Sequence, residues 1–158
     1  MDSATRIIPV GKDKFAIVDS TDYEFLSSFG WTAVRNSKNT TTYASTTNGQ
    51  RMHRMIMGAP AGMEVDHLNM NGLDNRRANL RICTKSQNNA NRRVQSNNKT
   101  GFKGVSLNRR RGYVRFEAMI YQGGKKTHLG THKDPISAAR AYDAEARVLF
   151  GEFARTNF

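Results

Sequence analysis

Residues 64–93 read EVDHLNMNGLDNRRANLRICTKSQNNANRR, from Glu64 to Arg93. Two short apolar pieces bracket a polar loop. The first, Glu64-Val65-Asp66-His67, is a strand that ends at the histidine. Asn, Gly and Asp crowd residues 69–75. These are turn formers: Gly tolerates left-handed backbone, and Asn and Asp side chains bond to nearby main chain. Leu80-Arg81-Ile82-Cys83 is the second strand. Thr84 then stands as an N-cap, with Gln87 at the third helical position of a capping-box pattern, for a helix through about Arg93. The order is strand, loop, strand, helix.

The same stretch carries chemistry. Adjacent residues on a regular strand point to opposite faces, so Asp66 and His67 share a site only if the strand ends there and the backbone turns. Asn88, on the helix, adds an amide oxygen. A carboxylate and an amide are hard donors, and with water and a substrate phosphate they suit Mg²⁺ or Mn²⁺. A neutral imidazole beside such an ion takes a proton from water near neutral pH. Together these groups describe metal-assisted phosphodiester hydrolysis. By spacing alone, the alternative of a strand-end histidine beside ordinary Asn-rich turns stays open.

Charge points the same way. The 158 residues hold 25 Lys plus Arg against 13 Asp plus Glu, a net +12. Residues 1–50 are neutral, residues 51–96 carry +5 and residues 97–158 carry +7. A polyanion partner, most commonly DNA or RNA, is implied for the last two thirds, with double-stranded DNA the partner expected from the whole reading. A membrane surface fits less well, because no basic amphipathic helix with bulky apolar residues occurs. The hydrophobic share of 37% and aromatic share of 9% fill one small core or two very small ones. No run of 18 apolar residues occurs, and Met1-Asp2-Ser3 does not open a signal peptide. The single cysteine, Cys83, excludes an internal disulfide framework and a Cys-rich zinc site, and reads as a small core residue. A soluble, cytoplasmic chain is expected.

Upstream, Ile7–Val10 and Phe15–Val18 form a hairpin, and a helix from Thr21 or Asp22 runs to Phe29. Trp31–Val34 and Thr40–Ala44 are strands around an Asn/Ser turn. Arg51–Met57 alternates apolar and polar residues around His53, which reads as a packed, hydrogen-bonded structural histidine. Downstream, residues 94–101 are polar and read as a linker. Strands follow at Phe102–Leu107, Tyr113–Tyr121 and Lys125–Leu129. Asp134 caps a helix with Pro135 in its first position, and Gly151 ends it after Phe150. Ala139, Tyr142, Ala146 and Leu149 form its apolar stripe. The expected class is α+β: a β-rich portion with the strand–loop–strand–helix unit over 1–93, a linker at 94–101, and a three-stranded antiparallel sheet packed on one helix over 102–158. In the middle strand of that sheet Tyr113, Arg115, Glu117 and Met119 face away from the core. With Lys103, Arg109, Arg111 and Lys126 they make a basic surface of a kind that can enter the major groove.

Residues 51–93 resemble an HNH endonuclease of the phage and mobile-intron type. The likeness is carried by Met52-His53-Arg54, Glu64-Val65-Asp66-His67, Asn71-Gly72, Asp74-Asn75-Arg76, Asn79-Leu80-Arg81 and Gln87-Asn88. It implies a ββα-metal fold with His67 as general base. It implies one divalent ion, Mg²⁺ or Mn²⁺, on Asp66 and Asn88, with Asn89 the adjacent alternative. Asn79 would brace the loop and help hold His67. No Cys pairs flank the motif, so no zinc is expected.

Residues 100–158 are similar to the DNA-binding domain of plant ethylene-response factors, a family known in phage HNH homing endonucleases. The likeness is carried by Phe102–Val105, Tyr113–Ile120, His128–Thr131, Ala138–Asp143 and Phe150–Ala154 with Asn157-Phe158. It implies major-groove contacts from Lys103, Ser106, Asn108, Arg115, Glu117, Lys126 and His128. Ser106 and Asn108 stand where the plant proteins commonly have Arg, and His128 where they have Trp; the run Arg109 to Arg111 is a substitute source of charge. The expected protein is a homing-type DNA endonuclease, a monomer or weak dimer in a host cytoplasm, docked by its C-terminal domain. The alternative is a DNA-binding regulator that does not cut. RNA binding ranks lower, because the sheet lacks paired exposed aromatics.

Overall fold

The computed structural model describes residues 4–35, 41–110 and 112–158, so the expected Asn/Ser turn and Arg111 lie outside the described residues. The chain divides into two compact units, Met1–Thr84 and Lys85–Phe158. The division falls ahead of the polar stretch 94–101 expected as a linker.

The first unit opens with the expected hairpin, β1 (Thr5–Pro9) against β2 (Phe15–Asp19). Its inner face buries Ile8, Ala16 and Val18, the period-two pattern of a strand with one wet side. Helix α1 (Ser20–Ser27) brings Leu26 into the core, and the Trp31 indole N–H donates to the Leu26 carbonyl at 2.7 Å. β3 (Thr32–Arg35) and β4 (Thr42–Ser45) make a second antiparallel pair. Residues 52–57, which alternate in sequence, are helix α2 (Met52–Met57). Met is a good helix former, and Met52, His53 and Ile56 share one buried face at i, i+1 and i+4. Gly58, at φ 55°, closes the helix in the left-handed conformation. β5 (Glu64–His67) and β6 (Leu80–Cys83) pair antiparallel around the Asn-rich loop, as expected. Ile8, Val18, Leu26, Trp31, Met52, Ile56, Val65 and Leu80 meet in one core.

The neutral first third has a structural job. The Ile17 N–H donates to the Leu73 carbonyl and the Asn75 N–H to the Ile17 carbonyl, each at 2.8 Å, so β2 is laid against the loop. Asp19 accepts the Arg77 main-chain N–H at 2.8 Å, and Asp22 accepts the Arg77 guanidinium twice, at 2.8 and 2.7 Å. Two of the acidic residues that cancel the charge of this third thus hold the motif itself.

The second unit begins with α3 (Lys85–Ala90), shorter than the helix expected through Arg93. Asn at 88, 89 and 91 favours turns over helix interior. Ala90 is buried with Ile120, Tyr142, Ala146 and Phe150. β7 (Val105–Arg110), β8 (Tyr113–Gln122) and β9 (Lys125–His132) form an antiparallel sheet, with a register shift between Ala118 and Met119. β7 starts later than expected because Gly104 turns at φ 73° against Tyr142, where a Cβ would sit 1.9 Å from the ring. The expected linker is in part built structure: Asn98 Oδ1 accepts the N–H groups of Thr100 and Gly101 at 2.8 and 2.9 Å, and its amide donates to the Phe102 carbonyl at 3.0 Å. Helix α4 (Pro135–Phe150) begins as expected, with Asp134 accepting the Ser137 N–H at 2.8 Å. Among the described residues, no helix is long and apolar enough to cross a membrane.

Candidate active site

β5 and β6 set the site by register: Asp66 lies opposite Arg81, and His67 opposite Leu80. His67 is the last residue of its strand, and the chain turns there into the loop. Asn79 closes that loop. Its amide donates to Asn69 Oδ1 at 3.0 Å and to the Asp74 carbonyl at 2.7 Å, while its Oδ1 accepts the Asn69 N–H at 3.0 Å. Asp74 takes the Arg76 guanidinium at 2.8 and 2.7 Å and the Asn69 amide at 2.8 Å, which holds its carboxyl below the usual range. The loop is therefore fixed by its own side chains.

Asn75 emerges from this loop fully buried, with Oδ1 3.3 Å from His67 Nε2. With that oxygen as acceptor, the neutral imidazole carries its proton on Nε2 and keeps the Nδ1 lone pair. Burial lowers the His67 pKa, and the Asn75 bond and the charges of Asp66 and Asp74 oppose the shift. A neutral ring is the form a base needs. Two further rings surround it. His53 meets it edge-on at 4.9 Å between centroids, and Tyr43 lies 5.8 Å away. His53 is packed as expected, but among the described residues its buried Nδ1 has no hydrogen-bond partner. Burial first, then repulsion from a protonated His67 and from Arg51 and Arg54, push its pKa down to about 3.

Asp66 is buried, and its Oδ2 accepts Arg81 Nε at 3.1 Å and Nη2 at 2.9 Å. The donor chemistry, a carboxylate with amide oxygens nearby in sequence, fits a hard divalent ion that keeps much of its water. Arg81 shares the carboxylate with any such ion. Among the described residues, no three His, Cys, Asp or Glu side chains group to hold a metal. Asn88 lies on α3 and so belongs to the second unit.

In the second unit, the register places Ser106 opposite Glu117, Asn108 opposite Arg115, Met119 opposite His128 and Tyr121 opposite Lys126. By strand alternation, Ser106, Asn108, Arg115, Glu117, Lys126 and His128 share one face, opposite the buried Ala118 and Ile120. Asn108 donates to Glu117, Arg115 stacks on Tyr113 at 5.6 Å, and His128 pairs with Thr131 at 3.4 Å. Arg109, paired with Val114, falls on the other face. Lys103 differs most from expectation: its ammonium turns inward onto the Ala90 and Arg155 carbonyls. Burial, with Arg155 nearby and Asp143 opposing, pushes its pKa down to about 8.

Sequence reasoning treats Asn75 as a turn residue and gives Tyr43 no role. Asn75 has a usable signal, an amide directly after the loop aspartate. Tyr43 has none, since the residues it touches are far away along the chain.

Residues 52–90 match the family model described as HNH endonuclease. Over 153 residues the chain is 29% identical to an uncharacterized HNH endonuclease of Acanthamoeba polyphaga mimivirus, covering 93% of this chain and 76% of that protein. Over 59 residues it is 51% identical to ethylene-responsive transcription factor 3 of Nicotiana tabacum, covering 36% of this chain and 25% of that protein. No solved structure matches.

Proposed function

We propose, from the HNH endonuclease domain at residues 52–90, that the chain is a metal-dependent, homing-type DNA endonuclease. The observation that carries this reading is His67, buried at a strand end beside Asp66 with Nε2 on Asn75. In that tautomer Nδ1 is the basic nitrogen, and it takes the proton from the attacking water. Asn79 acts through the loop, by holding Asp74 and so the Asn75 that follows it. Asp66 and Asn88 would hold one divalent ion, Mg²⁺ or Mn²⁺, which when bound supplies positive charge to the phosphate and the leaving oxygen. The sheet face of Ser106, Asn108, Arg115, Glu117, Lys126 and His128 docks on double-stranded DNA and raises the local concentration of the target at the site.

The test is cleavage of supercoiled plasmid with Mg²⁺ or Mn²⁺, run beside a mobility shift. His67→Ala should lose cleavage by about 100-fold or more, the effect of removing a positioned base, and keep DNA affinity. Cleavage equal to wild type would remove His67 from that role. A second reading, a DNA-binding regulator that does not cut, draws on the Asp66–Arg81 pair, which already neutralises the carboxylate. Specific binding with no cleavage under either metal would favour it.

A further inference from the structure

We propose that Tyr43 is a positioning residue for His67, acting through ring packing; this rests on the nuclease reading for its rate consequences. The Tyr43 ring meets β5, α2 and the loop around the histidine. Its centroid lies 5.8 Å from His67 on β5 and 5.4 Å from His53 on α2. His53 and His67 touch each other at 4.9 Å, so the three rings close a triangle. The Arg51 guanidinium carbon stands 5.5 Å over the Tyr43 ring from the side of α2. From the loop, Gly72 presses on the ring so closely that a Cβ there would lie 2.6 Å from Cδ1, and 2.4 Å from the Thr42 carbonyl oxygen.

The Nε2–Asn75 contact is long at 3.3 Å. Among the described residues, Asn75 Nδ2 and His53 Nδ1 are both buried without partners, so neither neighbour is itself locked by a complete network. Packing of the Tyr43 and His53 rings confines the imidazole plane, and close-packed interiors do this well. Tyr43 belongs to the neutral first third, which holds none of the expected site residues. Its place makes the β3–β4 hairpin part of the reaction centre's support.

The test uses the full chain with Tyr43→Leu and Tyr43→Phe in steady-state plasmid cleavage at varied DNA concentration. Tyr43→Leu should lower kcat by about 10- to 100-fold with KM within about twofold, the signature of a misplaced group. Tyr43→Phe keeps the ring and should stay within about threefold of wild type on the same grounds. In a His67→Ala background, Tyr43→Leu should cost nothing more, since it acts through the missing imidazole. Unchanged kcat in Tyr43→Leu, or equal losses in Leu and Phe, would overturn the proposal. If Tyr43→Leu does not fold, Gly72→Ala displaces the same ring and should give the same kcat loss; unchanged kcat there overturns it too. If wild type cuts nothing, the nuclease reading fails by itself. The ¹⁵N shifts of the His67 ring then decide: a move from one tautomer to a mixture in Tyr43→Leu supports the proposal, and unchanged shifts refute it.

Discussion

His53 shows how a single buried imidazole sets a pH dependence. Tyr43 and His67 pack on it, and Arg51 and Arg54 face it with positive charge. Its pKa is pushed from 6.5 to about 3, so in this window the unfolded chain binds the proton and the folded chain does not. Stability is therefore complete above 6.5 and falls as the pH drops toward 3, by about 1.4 kcal/mol per pH unit from this group alone. His53→Phe keeps a ring and removes the titration. Thermal unfolding followed from about pH 7 to about pH 4.5, inside that window, should fall less steeply in the variant than in wild type. Parallel curves would mean that His53 does not carry the acid sensitivity.

Among elements, those legible in the sequence are the ones whose signals are local. α4 is legible to the residue because Asp134, Pro135 and Gly151 mark its ends through bonds within one turn. β5 and β6 are legible because turn formers crowd the loop between them. α2 is not, since six residues with alternating polarity fit either period, and only Gly58 and the core decide. Asp66 and His67 can be singled out by residue type and Asn79 by the family resemblance, whereas Asn75, Tyr43 and the inward Lys103 depend on contacts between distant segments. The brace from α1 to the loop is of that kind. Arg77→Ala leaves Asp22, 8% exposed, without its two guanidinium bonds, at a cost of about 1–3 kcal/mol. The urea midpoint should fall with the m-value unchanged. Arg77→Lys should recover only part, because an ammonium cannot reproduce the paired contact. Full recovery by lysine would reduce the brace to simple charge.

At the scale of the whole molecule, the division into two units changes what a truncation means. A chain cut after residue 96 looks like a nuclease freed of its docking domain. Yet α3, which carries the proposed cation-holding Asn88, is built into the second unit. Its Ala90 is buried among Ile120, Tyr142, Ala146 and Phe150. The Ala90 carbonyl accepts the Lys103 ammonium and the Arg155 N–H, and Ser86 Oγ accepts the Gly123 N–H at 3.5 Å. A six-residue helix does not hold itself in water. Removing residues 97–158 should therefore abolish cleavage even at saturating DNA, where docking no longer matters. Arg115→Ala with Lys126→Ala in the full chain should behave differently. It should weaken DNA binding and make the salt dependence shallower by about 0.9 for each phosphate no longer neutralised, while cleavage at saturating DNA stays near wild type. Equal rates for the truncated and double-substituted proteins at saturation would confine the second unit to docking and remove α3 from the chemistry.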